Sequence, residues 1–323
     1  MEIRTFTEED LPAIHKFGFE AYPKRRDYYG SIIDFFLKGR IGGYTGGIGL
    51  FDGEKLCGQQ LYSACSFWYD GKKYDAGWCF DLIIREDLRK EAWGLDLIVD
   101  SMRIFPYACG TGAGPNSKPI SLKLGMKVLG EIRKYVGVSS KIKAPFLILL
   151  PGRSFPTTVN EFRLIENPSE IKEKEYYNRY LIESGRDMEF LKWRFFTEGF
   201  KDYKFYQKEN GDFFVVRIIS HKGIKMLALI DFRCSMDSKG SFKDILKSVK
   251  AISNHIRVPF ILVGSTHKVS DKVLEDAGFK SIGSPRAFMT AGRNKVKPDK
   301  SRVQERDYVL ITLADCDGEV SWK

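Results

Sequence analysis

The sequence predicts an α/β protein of the α+β type, built as two tandem domains, each a mixed central sheet flanked by helices. Three observations predict it. Apolar runs with strand and helix periodicity alternate through the first half of the chain, and a shorter version of the same order returns in the second half. The third is size: 323 residues, 43% hydrophobic and 14% aromatic, are comfortable for two cores. The division is placed at residue 155, giving 1–155 and 156–323, because Pro151-Gly-Arg-Ser-Phe-Pro156 interrupts an apolar stretch at 145–150 that reads as a strand.

Residues 2–6 read as the first strand. Thr7 followed by Asp10 marks a helix start, with Leu11, Ile14 and Phe17 at helical spacing, and a second helix is expected around 32–37. Segments 47–51, 56–68 and 73–84 form an antiparallel meander, since the Asp52-Gly53 and Asp70-Gly71 pairs between apolar runs are hairpin turns. The third of these strands runs into Arg89-x-x-Ala92-x-Gly94 and then a helix. Small residues at 92 and 94 let the backbone turn tightly and approach a ligand, and the first amides of the helix carry the positive end of its dipole without internal acceptors. That is the outline of a phosphate cradle. A strand at 104–109 and a helical segment at 116–126 follow. In the second half, strands at 213–219 and 225–232, a helix at 241–256, a strand at 259–263 and a helix ending in Ala277-Gly278-Phe279 repeat the plan. No Arg-x-x-Gly-x-Gly lies between Asp231 and Ser241.

These features resemble the GNAT superfamily of N-acetyltransferases, whose cofactor motif is R/Q-x-x-G-x-G/A after a strand ending in an aliphatic residue. Arg89-x-x-Ala92-x-Gly94 matches it with Ala92 in place of the first glycine, and the order strand, helix, helix, three strands, phosphate-binding helix is the family's. The segment 116–126, with Ser121-Leu-Lys-Leu-Gly125-Met126, resembles the second motif. The resemblance implies acetyl-CoA or another acyl-CoA as co-substrate, and no metal. It also implies that Leu82, Ile83 and Ile84 offer backbone groups to the pantetheine arm, that Arg89, Lys90, Ala92, Trp93, Gly94 and Leu95 wrap the pyrophosphate, and that Asn116 adds a cofactor contact. Asp81, the acidic residue nearest the expected thioester carbonyl, is the candidate base; its alternative is a strand carboxylate paired with a lysine or facing water. Tyr74 and Asp75 are second choices on the same edge. Ser121 stands where many members have a tyrosine proposed to protonate the departing thiolate. A serine hydroxyl is a poorer acid, so either another acid or water serves, or transfer is slow or absent.

The tandem plan resembles polysaccharide-pathway, mycothiol synthase-like and Fem-type two-domain members, with Phe190-Leu-Lys-Trp-Arg-Phe195, Tyr203 and the segment Ile311-Thr-Leu-Ala-Asp-Cys-Asp317 pointing to the first group. The function this implies is acyl-CoA-dependent N-acylation of a small-molecule amine, an amino sugar of surface-polysaccharide biosynthesis among them. Two alternatives stay open: a non-catalytic GNAT-fold scaffold, motivated by Ala92, Ser121 and the missing second cradle, and a Fem-type aminoacyl transferase using tRNA.

The net charge of +10 raises the question of nucleic acid. The basic residues are dispersed, and the densest cluster, 293–302, reads as a solvated loop, so no nucleic-acid partner is expected. A positive surface equally suits the phosphates of coenzyme A. No apolar run reaches the length of a membrane span and the first residues lack a signal-peptide pattern, which leads to the expectation of a cytoplasmic protein with no membrane partner. Cysteines 57, 65, 79, 109, 234 and 316 form no C-x-x-C pair and read as reduced, mostly buried thiols. Gly110-Thr-Gly-Ala-Gly114 reads as a strand-to-helix turn, and Asp315-Cys-Asp317 as a hairpin end rather than a metal site. Trp193 is expected in the core. The four histidines are scattered.

Overall fold

The structure is a computed structural model, and it describes residues 1–38, 46–114, 117–140, 142, 144–147, 149–221, 223–292, 307–315, 319 and 322. Two compact units divide the chain: the first holds Met1–Phe67, Lys73–Leu129 and Ala287–Lys297, the second Trp68–Lys72, Gly130–Arg286 and Pro298–Lys323.

The first unit begins with β1 (Glu2–Thr5), α1 (Leu11–Ala21) and α2 (Arg26–Lys38). Thr7 and Asp10 form the expected capping box ahead of α1, the Thr7 amide donating to Asp10 Oδ2 at 2.8 Å. The meander follows as β2 (Gly47–Asp52), β3 (Lys55–Tyr69) and β4 (Lys72–Ile84). Asp70 (φ 50°) and Gly71 (φ 71°) both take the left-handed conformation of the tight hairpin that Asp-Gly encodes. A crossover helix, α3 (Trp93–Ile104), leads to β5 (Tyr107–Thr111), which is parallel to β4, and α4 (Ser117–Lys123) comes next. The strand order is β1-β2-β3-β4-β5. Leu97 of α3 is buried with Ile48, Leu50, Cys57, Tyr62 and Leu88, and this cluster fixes the start of the helix at the end of β4.

The second unit receives β6 (Lys127–Val138) from Gly130 onward, then α5 (Ala144–Leu147), β7 (Thr158–Val159), β8 (Phe162–Ile165), β9 (Ile182–Ser184), α6 (Met188–Phe196), β10 (Lys204–Gln207), β11 (Phe213–His221) and β12 (Ile224–Arg233). These are followed by α7 (Lys239–Ile256), β13 (Phe260–Ser265), α8 (Lys268–Asp276), β14 (Lys280–Gly292) and β15 (Val309–Leu310). Its sheet runs β6-β13-β12-β11-β10-β8-β7, with β12 and β13 parallel through α7 and β6 antiparallel to β13. Phe242, Ile245, Val249 and Ile252 of α7 pack into a core with Phe214, Leu227, Phe232 and Ile261. The last residues of β14 lie in the first unit, where Phe288 to Gly292 pair antiparallel with β5. Both units therefore contain a β-α-β crossover whose second strand has an antiparallel neighbour.

Two expectations need correction, and one strand was missed. Residues 104–109 do not form one strand, because Ile104 closes α3 and Phe105 (φ −109°, ψ 151°) breaks the helix before β5. The 145–150 run is not a strand: it falls on α5 and the turns after it, with Phe146 68% and Leu149 82% exposed. A short apolar run does not separate strand from helix by itself. The strand in that region is β6, whose Glu131, Arg133 and Lys134 separate the buried Gly130, Ile132 and Tyr135 without a strict alternation.

Candidate active site

In the first unit β4 and β5 stay in register only from Ala76↔Tyr107 to Trp78↔Cys109. Beyond that point β4 continues to Ile84 while Gly110 and Thr111 of β5 pair with β14, so the two parallel strands part and leave a wedge. Leu82, Ile83 and Ile84 lie on the β4 side of the chain beyond the parting, immediately before a 3₁₀ turn at Glu86–Leu88 and the start of α3.

The amides here sort into two sets. Leu88, Arg89 and Glu91 donate to the carbonyls of Arg85, Glu86 and Leu88, and Leu95 and Asp96 donate to Ala92. Among the described residues nothing accepts the amides of Lys90, Ala92, Trp93 or Gly94. Unsatisfied amides at the N-terminus of a 12-residue helix are a ready anion site. The Arg89 side chain folds back, Nε donating to the Ile84 carbonyl at 3.1 Å, which ties the loop to the strand end. Trp93 Nε1 donates to Glu91 Oε2 at 2.6 Å and its ring packs on the α3 core. Lys90 and Ala92 are exposed, and Leu95 is 39% exposed.

Asp81 has φ 49°, a left-handed conformation in the middle of a strand. Such a residue breaks the regular pleat, as the left-handed residue of a bulge does, and re-aims its side chain. Its effect is visible in the neighbours: the Phe80 ring lies tilted against Phe36 of α2, centroids 5.3 Å apart, and Asp81, the next residue, also faces α2, where it accepts a hydrogen bond from the Tyr29 hydroxyl. The lysine partner considered for this carboxylate is thus a tyrosine. Burial first, and then the charge of Asp81, push the Tyr29 hydroxyl far above its ordinary value, so it remains a donor. Gln59 of β3 donates its Nε2 to Tyr29 Oη at 3.1 Å, and Gln60 donates to the Phe80 carbonyl at 2.7 Å, steadying the bulge from the strand beside it. With its only proton committed to Asp81, Tyr29 must accept from Gln59, which leaves Gln59 Oε1 as the free end of the amide. That atom is buried with no partner among the described residues. The Tyr29 ring needs Gly18 of α1: a Cβ there would stand 2.0 Å from Tyr29 Cε1.

Sequence reasoning missed Tyr29, Gln59 and Gln60. A signal existed in the glutamines, two adjacent amides inside an otherwise apolar strand; Tyr29 gave none, because an aromatic on a helix reads as core. Ser121 is buried on α4, its carbonyl accepting the Met126 amide in the turn at Gly125. Tyr74 and Asp75 sit near the start of β4, before the register with β5 begins at Ala76. Asn116, the 293–302 cluster, Cys316 and Asp317 lie outside the described residues. No group of three metal-ligating side chains occurs among the described residues. Cys57, Cys65, Cys79, Cys109 and Cys234 are thiols outside any disulfide, and burial pushes the Cys79 thiol up to about 12.

The corresponding wedge of the second unit is closed by its own chain. β12 and β13 are in register from Met226↔Phe260 to Leu229↔Val263. Beyond it Thr312 bridges to Ser265 of β13, its hydroxyl donates to Asp231 of β12 at 2.7 Å, and the Thr266 amide donates to the Ile311 carbonyl at 3.0 Å. Two of the amides after β12 are also taken: Met236 donates to Asn178 Oδ1 at 2.7 Å, and Gly240 to Ser238 Oγ at 3.3 Å. Buried ion pairs hold the plug, with Asp315 bonded to Arg186 at 2.7 Å, and Arg186 and Arg233 both bonded to Asp231. Arg194 is buried against Glu319 and Tyr203, and Trp193 is in the core as expected.

No family model and no curated protein matches the sequence. The structure is similar to a GCN5-related N-acetyltransferase from Anabaena variabilis ATCC 29413, with TM-score 0.62 and 12% identity over 91% of this chain and 73% of that one. A GCN5-related N-acetyltransferase from Kribbella flavida gives 0.56 and 12% over 90% and 71%. Saccharomyces cerevisiae N-myristoyltransferase, solved with bound myristoyl-CoA, gives 0.57 and 14% over 96% and 89%. The chain has the GNAT fold.

Proposed function

We propose that this GNAT-fold chain is an acyl-CoA-dependent N-acyltransferase, with acetyl-CoA or another acyl-CoA as co-substrate and an amine as acceptor. One observation carries the reading. Of two β-α-β crossovers, one presents Lys90, Ala92, Trp93 and Gly94 amides with no acceptor among the described residues beside parting strands, and the other has its wedge filled by residues 311–315 and the Met236 and Gly240 amides taken. The solved acyltransferases of this fold support the same assignment.

In this reading Lys90, Ala92, Trp93 and Gly94 bind the pyrophosphate, with Arg89 and Leu95 on its flanks, and the β4 backbone at Leu82, Ile83 and Ile84 holds the pantetheine arm. Asn116 adds a contact. Asp81 takes the proton from the acceptor nitrogen as the nitrogen–carbon bond forms and the carbon–sulfur bond breaks; the thiolate leaves and is protonated by water, Ser121 being a poor acid. Tyr29 holds the Asp81 carboxylate in place. The acceptor in this reading is a small-molecule amine, an amino sugar of surface-polysaccharide biosynthesis among the candidates. We further propose that 1–155 correspond to the acyl-CoA domain and 156–323 to a degenerate GNAT-like partner, and that the enzyme works in the cytoplasm.

Calorimetric titration of acetyl-CoA tests the premise, with dephospho and desulfo analogues as controls. Saturable binding is expected. Absence of binding by both acetyl-CoA and free coenzyme A would overturn the enzymatic reading and favour the non-catalytic scaffold.

A further inference from the structure

The walls around the parting strands of the first unit set a length for whatever lies between them. If the arm of an acyl-CoA runs back along β4 from Ile84 to Leu82, its thioester carbonyl stands beside Asp81 and the acyl carbons continue toward Phe80 and Cys79, where β4 rejoins β5. Three walls meet there. In the plane of the sheet the wedge is already closed one residue beyond the Trp78↔Cys109 pair, since a Cβ on Gly110 would stand 3.0 Å from the Cys79 carbonyl oxygen. A carbon bonded to Gly110 would thus be crowded, and an unbonded one, which needs about 3.5–4 Å from each backbone, has no room. On the α2 side the buried Phe80 ring lies against the buried Phe36, centroids 5.3 Å apart. On the α3 side Phe105 covers Gly77, where a Cβ would come within 2.1 Å of its ring. Phe105 also meets Tyr62 edge-on at 5.1 Å, and Cys79 packs into the same cluster.

Spacing turns these walls into a chain length. Asp81 and Cys79 are two strand residues apart, roughly 6–7 Å, and van der Waals contact at the closed end takes about 3.5–4 Å of that. The remainder, about 3 Å, spans two carbon–carbon bonds beyond the carbonyl. We propose that the wedge admits an acetyl or propionyl group and excludes longer acyl chains, with the approach of Cys79 to Gly110 as its end and Phe36 with Phe80 as its wall on the α2 side. The limit rests on the acyl-CoA reading and narrows it to the thioesters of short carboxylic acids. Core packing alone would also bury Phe36 and Phe80, so the distinguishing measurement compares ligands of different length rather than stability.

Calorimetric titration of the full chain with coenzyme A, acetyl-CoA, propionyl-CoA and hexanoyl-CoA tests it without knowledge of the acceptor. Acetyl-CoA and propionyl-CoA are expected to bind alike, and hexanoyl-CoA about tenfold or more weaker, because extra methylenes pressed into a packed interior are penalised. Phe36→Ala opens space beside Phe80 and should remove most of that difference; Phe36→Leu, a smaller truncation, serves if circular dichroism shows the alanine variant unfolded. Hexanoyl-CoA that binds the wild type as tightly as acetyl-CoA would overturn the length limit while leaving the acyl-CoA site in place. A folded Phe36 variant with the wild-type ratio of the two affinities would overturn it as well, since the wall would then lie elsewhere. No affinity for any of the four ligands, free coenzyme A included, would instead remove the acyl-CoA reading and the limit with it.

Discussion

Asp81 is a carboxylate in a left-handed strand residue, bonded to a buried tyrosine hydroxyl. If it is the base, Asp81→Asn should lower kcat/KM for amine acetylation by about 10²–10⁴-fold and leave acetyl-CoA affinity unchanged, as read by calorimetry beside a thiol-release assay; parallel loss of affinity would mean that the residue only maintains the fold. Tyr29→Phe should shift the acid limb of the pH–rate profile to higher pH, because the ionised carboxylate loses a donor while the neutral acid loses little. A second residue responds to pH through stability. His267 caps α8 by accepting the Val269 amide on Nδ1 at 3.2 Å, and its Nε2 meets the Asp307 carbonyl at 3.2 Å, an arrangement that uses the neutral ring at both nitrogens. Burial pushes this imidazole from 6.5 down to about 4. The unfolded chain therefore binds the proton first as pH falls, so the contribution is complete above about 6.5 and is lost between about 6.5 and about 4, roughly 3 kcal/mol in all. In His267→Asn the side-chain acceptor stays and the titrating ring goes. Urea unfolding at pH 7 and pH 5 should show a smaller loss in the variant than in the wild type, and equal losses would refute the assignment.

At the scale of elements, the cradle depends on where α3 starts. Gly94 is in its first turn, and a Cβ added there would touch only Ile84 Cγ1, at 3.6 Å, an ordinary contact. Gly94→Glu should therefore fold, yet place a carboxylate in the proposed phosphate site and abolish acetyl-CoA binding in the calorimeter. Unchanged affinity in a folded variant would remove the site from α3. This element was legible in the sequence because its signals are local: an aliphatic strand end, two small residues and a helix start. The meander was legible for the same reason, since Asp70-Gly71 fixes a hairpin through its own two dihedral angles. The bulge at Asp81 was not legible, because its geometry is set by Tyr29, Gln59 and Gln60, brought to it by tertiary folding. β6 was hidden too. Its partner β13 is far along the chain, and its charged residues and the phase change between Ile132 and Tyr135 leave no clean period of two. The apolar run at 145–150 drew the strand assignment that β6 deserved.

For the whole molecule, two crossovers of the same plan differ in what fills them. In the second unit the plug depends on Asp231, whose carboxylate accepts from Arg186 at 2.6 Å, Arg233 at 2.7 Å and Thr312 at 2.7 Å, all buried. Removing it leaves two guanidinium groups in the interior without their shared partner, a defect that costs about 3–5 kcal/mol. Asp231→Ala should lower urea stability by that order, whereas a change of less than about 1 kcal/mol would place the network outside the folding core. The same contacts govern ligand stoichiometry. An acyl-CoA entering the second wedge would have to displace Thr312 from Ser265 and Asp231 and then compete for amides that Asn178 and Ser238 already hold. Nothing comparable is displaced at Lys90, Ala92, Trp93 and Gly94. Calorimetry on the wild-type chain should therefore return one acetyl-CoA per polypeptide, with Gly94→Glu reducing the count to none. A stoichiometry of two, or one site that persists in Gly94→Glu, would mean that the 311–315 segment leaves its wedge and that the second unit binds cofactor.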